Sequence, residues 1–222
     1  MSSTPLTPPA GAVVFDFDGV IIDSREAVGT AINGALVAHG LAPRSASELD
    51  RFIGPPATSA FAELTGAAPG SPLVAACIDT YHERYADVYL SQTSLVEGIA
   101  GVLARLALPL ALATAKPAEF VGPLLGVLAI AACFPVVSAA AMSALDEPKA
   151  AIVARALDRL GVADAVVVGD RSFDVAAAHA NGVRAIGVTW GIGDRVELEA
   201  AGADAIVERP HELLALLQPS VS

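Results

Sequence analysis

The chain has 222 residues, which is enough for one sizeable core or for a core domain with a smaller insertion. Its formal net charge of −11 argues against a general binder of nucleic acid or of a membrane surface, because phosphate polyanions would be repelled. The hydrophobic share of 54% favours a helix-covered parallel sheet, yet we find no apolar stretch long enough to predict a transmembrane helix.

The two ends of the chain and its cysteines indicate a cytoplasmic protein. Residues 1–11 are rich in Ser, Thr and Pro and have no basic region, so they predict a flexible lead-in and not a signal peptide. Residues 218–222 predict a second flexible tail. Cys77 and Cys133 are expected to be buried thiols without a disulfide, which fits a reducing compartment.

The first predicted strand begins at Ala12 and ends in two aspartates, Asp16 and Asp18, followed at once by Gly19. Residues i and i+2 of a strand point to the same side, and two neighbouring carboxylates repel unless a cation or a proton lies between them. The pattern therefore suits a divalent metal, with one aspartate free to attack and the other to move a proton. Taken alone, it is also typical of a strand that ends in a solvated acidic turn.

A block of helices follows the first strand. Residues 24–40 predict a helix that Gly40 ends, and apolar residues recur at helical spacing through residues 45–51, 57–64 and 73–90. The Gly54-Pro55-Pro56 turn interrupts this pattern.

From Gly98 onward, helices and strands alternate. Strands are predicted at 108–114, 135–138, 165–169, 185–189 and 205–207, and helices at 99–106, 118–128, 149–160, 173–181, 196–201 and 210–217. This alternation is typical of a doubly wound α/β domain with a parallel sheet. We therefore expect a core of residues 12–23 and 95–217, with the helical block 24–94 inserted after the first strand.

Polar residues stand where these strands end, which is the edge at which doubly wound sheets bind ligands. They are Thr114, Asp170 and Asp174, and Lys149 opens a helix. A hydroxyl, backbone amides and an ammonium suit a phosphate, and carboxylates suit Mg²⁺. Singly, Thr114 suits a helix N-cap, Lys149 a solvated lysine and Asp174 a first-turn acid. Their joint occurrence favours a site.

These residues carry a resemblance to the haloacid dehalogenase superfamily, in the branch with a helical cap inserted after the first strand. The resemblance runs from about Ala12 to Leu217, and its four motifs are Asp16-Phe17-Asp18-Gly19-Val20, Thr114, Lys149, and Gly169-Asp170 with Asp174. Three further details are similar to the phosphoglycolate phosphatase-like hydrolases. They are Phe52-Ile53-Gly54-Pro55-Pro56, Ala113-Thr114-Ala115-Lys116-Pro117, and Val168-Gly169-Asp170-Arg171-Ser172-Phe173-Asp174 followed by Gly187-Val188-Thr189-Trp190-Gly191-Ile192-Gly193. The implied fold is a Rossmann-like parallel sheet with a helical cap.

The resemblance implies a role for each matching residue. Asp16 would be the nucleophile that becomes an aspartyl phosphate, and Asp18 the general acid and then the general base. The implied ligands of Mg²⁺ are the Asp16 carboxylate, the Asp18 backbone carbonyl, Asp170 and Asp174. The implied phosphoryl-binding groups are Thr114, the amide of Ala115 and Lys149.

A Mg²⁺-dependent phosphatase that acts on a small phosphorylated metabolite is the resulting hypothesis, as a monomer or a dimer. The resemblance leaves phosphoglycolate, a nucleotide monophosphate, pyrophosphate and a sugar phosphate open as substrates. The alternatives are a nucleotidase or pyrophosphatase of the same fold, a phosphosugar mutase and a non-catalytic binding protein. The mutase ranks lower because mutase-like members usually carry Glu-Asp-Ser where this chain has Gly169-Asp170-Arg171.

Candidates for contact with the leaving group come mainly from the helical block. They are Arg51, Pro55, Pro56, His82, Arg84 and Tyr85, together with Lys116, which lies two residues beyond Thr114.

Overall fold

The computed structural model describes residues 10–144 and 147–217; of the predicted tails, residues 1–9 and 218–222 lie outside them. The described residues up to Ile22 and from Leu95 onward form one compact unit, here called the α/β unit. Asp23–Ser94 form a second compact unit, here called the helical unit.

The α/β unit is built on a six-stranded parallel sheet with the order β5-β4-β1-β6-β7-β8. The strands are β1 (Ala12–Phe15), β4 (Leu110–Pro117), β5 (Val136–Ala140), β6 (Ala165–Gly169), β7 (Arg184–Val188) and β8 (Ala205–Val207). Val14 of the central strand β1 lies opposite Ala111 on one side and Val167 on the other. Because the strand order reverses beside β1, the carboxyl end of β1 lies at the position where doubly wound sheets bind ligands. The predicted fold class is confirmed.

Six helices belong to the α/β unit within the described residues. They are α5 (Ile99–Leu103), α6 (Ala118–Val127), α7 (Lys149–Leu160), α8 (Ser172–Ala180), α9 (Arg195–Ala200) and α10 (Glu212–Leu217). Helix α7 buries Ile152, Val153 and Ala156 on one stripe, against a core that contains Val14 and Val167. Burying a side chain such as that of Ile152 contributes about 1.5–3 kcal/mol, so this stripe holds Lys149 at the start of α7 firmly against the sheet.

The helical unit contains α1 (Arg25–Ala38), α2 (Ala46–Leu49), α3 (Ala57–Thr65), α4 (Pro72–Val88) and a 3-10 turn at Asp50–Phe52. Ser71 caps α4 by accepting a hydrogen bond from the Val74 amide, and proline at the first helical position suits the start of a helix. Tyr81, Tyr85 and Tyr89 stack along α4 at the four-residue spacing that places side chains on one face. Two short strands, β2 (Ile22–Asp23) and β3 (Ser94–Leu95), pair where the chain passes between the units.

Two expectations from the sequence need correction. Strand β4 continues to Pro117 instead of ending at Thr114, with an irregular register against β5 between these two residues. Cys77 is a buried free thiol as predicted, but Cys133 is only half-buried. It belongs to a 3-10 turn at Ala131–Cys133, which leaves one side of the residue to solvent. Among the described helices, none has the length and apolar character that a bilayer crossing requires.

Candidate active site

The chain leaves β1 through a tight turn that carries Asp16 and Asp18. The Asp16 amide still donates to the Val168 carbonyl of β6, at 2.9 Å, so Asp16 continues the sheet by one residue. Gly19 follows with φ +81°, a left-handed conformation that favours glycine. A Cβ at Gly19 would also overlap the Asp170 carboxylate, so this close approach requires glycine as well.

Three carboxylates meet at the carboxyl ends of β1 and β6, and we call them the carboxylate cluster: Asp16, Asp170 and Asp174. All three are buried, and one oxygen from each lies within 4.8 Å of the others. Burial raises the pKa of Asp16 well above its usual value, with Lys149 opposing this and the other two carboxylates adding to it. Burial and the neighbouring Asp174 raise the pKa of Asp170 to about 7. Repulsion of this kind between oxygen ligands is relieved by a hard cation.

Lys149 provides a positive charge beside the carboxylate cluster. It is the first residue of α7, and its Nζ lies 2.5 Å from Asp16 Oδ1 and 2.9 Å from Asp174 Oδ1. Burial alone would lower the pKa of Lys149, but the charges of these two carboxylates raise it above its ordinary range. The helix dipole disfavours a positive charge at the helix N-terminus. The charged form of Lys149 is therefore stabilised by its two ion pairs and not by its position on α7.

Thr114 and Ala115 lie within β4, the strand that pairs with β1 on the side opposite β6. The Thr114 hydroxyl accepts a hydrogen bond from the Lys116 amide, at 3.0 Å. Since a hydroxyl that accepts a bond still has its own O–H to donate, Thr114 retains a donor suited to an anion. Thr114 is not a helix N-cap, because α6 begins at Ala118 with Pro117 in the capping position.

Lys116 contacts Asp18. Its Nζ lies 3.0 Å from Asp18 Oδ1, and the two side chains are 6% and 13% exposed. The sequence predicted a contact of Lys116 with the substrate or the helical block, and that contact stays a prediction. Of the 13 arginines and lysines in the chain, 11 are arginines, and Lys116 and Lys149 are the two lysines. Each of the two lysines forms an ion pair with one of the aspartates that follow β1.

Sequence reasoning assigned no role to the residues that support Asp170 and the first residue of α8. The Ile192 amide donates to Asp170 Oδ2 at 2.7 Å, and a Cβ at Gly191 would overlap the Asp170 side chain. Glu197 accepts from both the amide and the hydroxyl of Ser172, each at 2.7 Å. The closely spaced glycines 191 and 193 were the available signal, since glycine is needed where the backbone approaches another group closely.

The candidates in the helical unit have contacts with other residues of that unit. Arg51 is exposed, forms an ion pair with Glu63 and lies 4.7 Å over the Phe52 ring. Arg84 is exposed, and its stem packs beside Gly34. Tyr85 is 2% exposed within the tyrosine stack, which makes it a packing residue of its own unit.

Two further candidates form the turn before α3. Pro55 is half-buried, and the exposed Pro56 occupies the N-cap position of α3.

The remaining candidate of the helical unit, His82, lies within α4. It is half-buried, and burial lowers its pKa.

The family follows from comparison with known proteins. A family model described as haloacid dehalogenase-like hydrolase matches residues 13–188, which include all the candidate site residues of the α/β unit. The chain belongs to the haloacid dehalogenase-like hydrolase family.

Individual relatives identify the type of reaction. The chain is 30% identical over 218 residues to a phosphoglycolate phosphatase of Pectobacterium atrosepticum, covering 95% of this chain and 93% of that one. It is 29% identical over 193 residues to a 5'-nucleotidase of Pseudomonas aeruginosa, covering 85% and 86%. A crystal structure described as a predicted phosphatase from Clostridium acetobutylicum matches with a TM-score of 0.84 and 29% identity, covering 92% and 96%. The protein is a phosphoric monoester hydrolase.

Proposed function

We propose that this protein is a Mg²⁺-dependent phosphatase that hydrolyses a small phosphorylated metabolite through an aspartyl phosphate on Asp16. The observation that carries the proposal is the environment of Asp16. Its carboxylate lies at the end of the central strand, grouped with two other buried carboxylates and 2.5 Å from the Lys149 ammonium.

The charges around the site suit a divalent cation. Four carboxylates, those of the carboxylate cluster and of Asp18, face the two ammonium groups of Lys116 and Lys149, so a formal excess of two negative charges remains. Asp16, Asp170, Asp174 and the Asp18 backbone carbonyl would hold Mg²⁺, which prefers oxygen ligands. When bound, the ion neutralises this excess and stabilises the charge that develops on the phosphoryl oxygens.

Catalysis divides between the two aspartates after β1. Asp16 attacks phosphorus while the bond to the leaving oxygen breaks, and Asp18 donates a proton to that oxygen. In the second half, Asp18 takes a proton from water, and the hydroxide attacks phosphorus and releases phosphate. Asp16 is then a free carboxylate again, and Asp18 again holds a proton.

The remaining groups hold the phosphoryl unit in line, which is the main requirement of phosphoryl transfer. The Thr114 hydroxyl and the Ala115 amide donate hydrogen bonds to its oxygens. Lys149 neutralises its charge, since the same ammonium already lies against Asp16 and Asp174.

The substrate we propose is a small phosphate monoester of the phosphoglycolate type, supported by the relative from Pectobacterium atrosepticum. The relative named a 5'-nucleotidase makes a nucleoside 5'-monophosphate the second candidate. We further propose that the helical unit is a cap that selects among substrates, with the Gly54-Pro55-Pro56 turn and the cations Arg51 and Arg84 as candidate contacts. The α/β unit provides groups for the phosphoryl end, which all substrates share.

The test combines a substrate panel with the Asp16→Asn variant. Phosphate release is measured for phosphoglycolate, nucleoside monophosphates, pyrophosphate, sugar phosphates and p-nitrophenyl phosphate, with Mg²⁺ and with EDTA. We expect the wild type to release phosphate only with Mg²⁺. We also expect an acid-stable label on the protein when a reaction with radiolabelled substrate is quenched with acid. Both are lost in Asp16→Asn.

Asp158→Asn, which removes an exposed carboxylate from α7, is the matched control and should retain full activity. Substantial turnover by a folded Asp16→Asn protein would refute the nucleophile assignment. An isomerised sugar phosphate in place of free phosphate would identify a mutase.

A further inference from the structure

We propose that Lys116 is a positioning residue that acts through Asp18 and holds its carboxylate in the orientation that proton transfer requires. The inference rests on the proposed function, because it takes Asp18 as the acid and base of the reaction. It assigns Lys116 to the chemistry of the α/β unit and not to contact with the substrate.

The contact between the two side chains is close and shielded from water. Lys116 Nζ lies 3.0 Å from Asp18 Oδ1, and the lysine side chain is 6% exposed. A lysine without a buried partner turns its ammonium toward water, so this degree of burial indicates that the carboxylate holds it. The Asp18 side chain is 13% exposed, about twice the exposed fraction of the lysine side chain.

The backbone fixes the origin of the Lys116 side chain. The Lys116 amide donates to Thr114 Oγ1 at 3.0 Å, and both residues lie in the part of β4 where the register against β5 shifts. Because β4 is hydrogen-bonded to β1 along Val13–Phe15, the distance from this bulge to the turn after β1 is set by the sheet itself. A short path through rigid elements is what a positioning contact needs.

Each of the two aspartates after β1 forms an ion pair with a different lysine. Lys149 lies against Asp16 and Asp174, and Lys116 lies against Asp18. The nucleophile and the acid/base therefore each have an ammonium that restricts their rotation. An acid/base group must remain within hydrogen-bond reach of the leaving oxygen and later of water, and misplacement by about 1 Å costs on the order of 10²-fold in rate.

The experiment is a double-mutant cycle read with two substrates. Lys116→Met, Asp18→Asn and the double variant are compared with the wild type on an alkyl phosphate and on p-nitrophenyl phosphate. We expect Lys116→Met to lower kcat about 10- to 100-fold on the alkyl phosphate, less on the aryl phosphate, with KM nearly unchanged. In the Asp18→Asn background, Lys116→Met should cost less than about threefold, because the group it positions no longer transfers protons.

Two conservative variants and one control accompany the cycle. Lys116→Arg should restore part of the alkyl phosphate activity, and Lys116→Gln keeps a donor of similar length if the methionine variant fails to fold. Arg159→Met is the control. It removes an exposed cation from α7, about 15 Å along the helix from Lys149, and should leave both activities unchanged.

Three results would overturn the proposal. An equal loss on both substrates with a raised KM, persisting in the Asp18→Asn background, would show that Lys116 binds substrate directly. A lowered melting temperature with an unchanged ratio of the two activities would show a purely structural ion pair. Full activity of Asp18→Asn on the alkyl phosphate would remove the acid/base role itself, and this result is read without any change at Lys116.

Discussion

Replacing Asp170 by Asn should make the metal-free protein more stable, although it removes a proposed metal ligand. Asp170 is 1% exposed, and its carboxyl has a pKa raised from 3.8 to about 7 by burial and by Asp174. A raised carboxyl pKa means that the folded state resists ionisation of this group. Asparagine has a similar shape, keeps an oxygen to accept the Ile192 amide hydrogen bond, and carries no charge.

The magnitude follows from the pKa. Below about pH 3 the group is protonated in both states and contributes nothing. Between about pH 4 and 7 the unfolded chain ionises while the folded chain keeps its proton, so the free energy of unfolding falls as the pH rises. The cost is about 2 kcal/mol at pH 5 and levels near 4 kcal/mol above pH 7, since each pKa unit corresponds to a tenfold change in the equilibrium.

The assay is thermal unfolding in EDTA at several pH values. The fluorescence of Trp190, the only tryptophan of the chain, reports on the α/β unit, since its indole N–H donates to the Val20 carbonyl at 3.2 Å. At pH 8 we expect Asp170→Asn to melt roughly 5–15 °C above the wild type, with a smaller difference at pH 5. Mg²⁺ should raise the melting temperature of the wild type only, and so narrow or reverse the difference.

Two results would refute this reasoning. One is a variant that melts at or below the wild type in EDTA at pH 8. The other is a difference between the two proteins that does not change with pH. Asp158→Asn, an exposed change on α7, is the control for loss of one negative charge and should shift the free energy of unfolding by no more than about 0.5 kcal/mol.

Two further predictions concern the loop at Asp170 and the helical unit. Gly191→Ala should abolish the Mg²⁺-induced rise in melting temperature, because its Cβ would overlap the Asp170 carboxylate. The control Gly126→Ala in α6, where a Cβ meets open space, should preserve that rise. An unchanged Mg²⁺ response in Gly191→Ala would contradict the close packing of Gly191 against Asp170. Ile53→Ala combined with Pro55→Ala should change the order of substrates in a panel more than it changes p-nitrophenyl phosphate hydrolysis. A parallel fall in all activities would mean that this turn supports the fold and does not select substrates.

The elements that the sequence predicted best are those whose pattern is set locally. Strand Ala165–Gly169 and helix Lys149–Leu160 have the predicted bounds, because an uninterrupted apolar run and a clear helical stripe each end at a glycine. The end of β4 was predicted three residues too early. Its continuation depends on a shifted pairing with β5, which leaves no mark in the sequence of β4 itself.

The candidate site shows the same division between local and tertiary information. Asp16, Asp170 and Asp174 were singled out because strand ends collect at one edge of a parallel sheet, and the structure brings them together. The partner of Lys116 was not predicted, since it depends on the bulge in β4. The support of Ser172 by Glu197 was missed as well, because these residues are 25 positions apart and meet only through packing of α9.

The presence of only two lysines, both beside the aspartates after β1, makes the site visible to spectroscopy without any mutation. Feeding ¹⁵N-lysine during expression would place label at Lys116 and Lys149 alone. The NMR spectrum would then contain one backbone amide signal and one ammonium signal from each. Titrating Mg²⁺ or a phosphate analogue into such a sample would follow the nucleophile side through Lys149 and the acid/base side through Lys116, as two separately resolved binding curves from one tube.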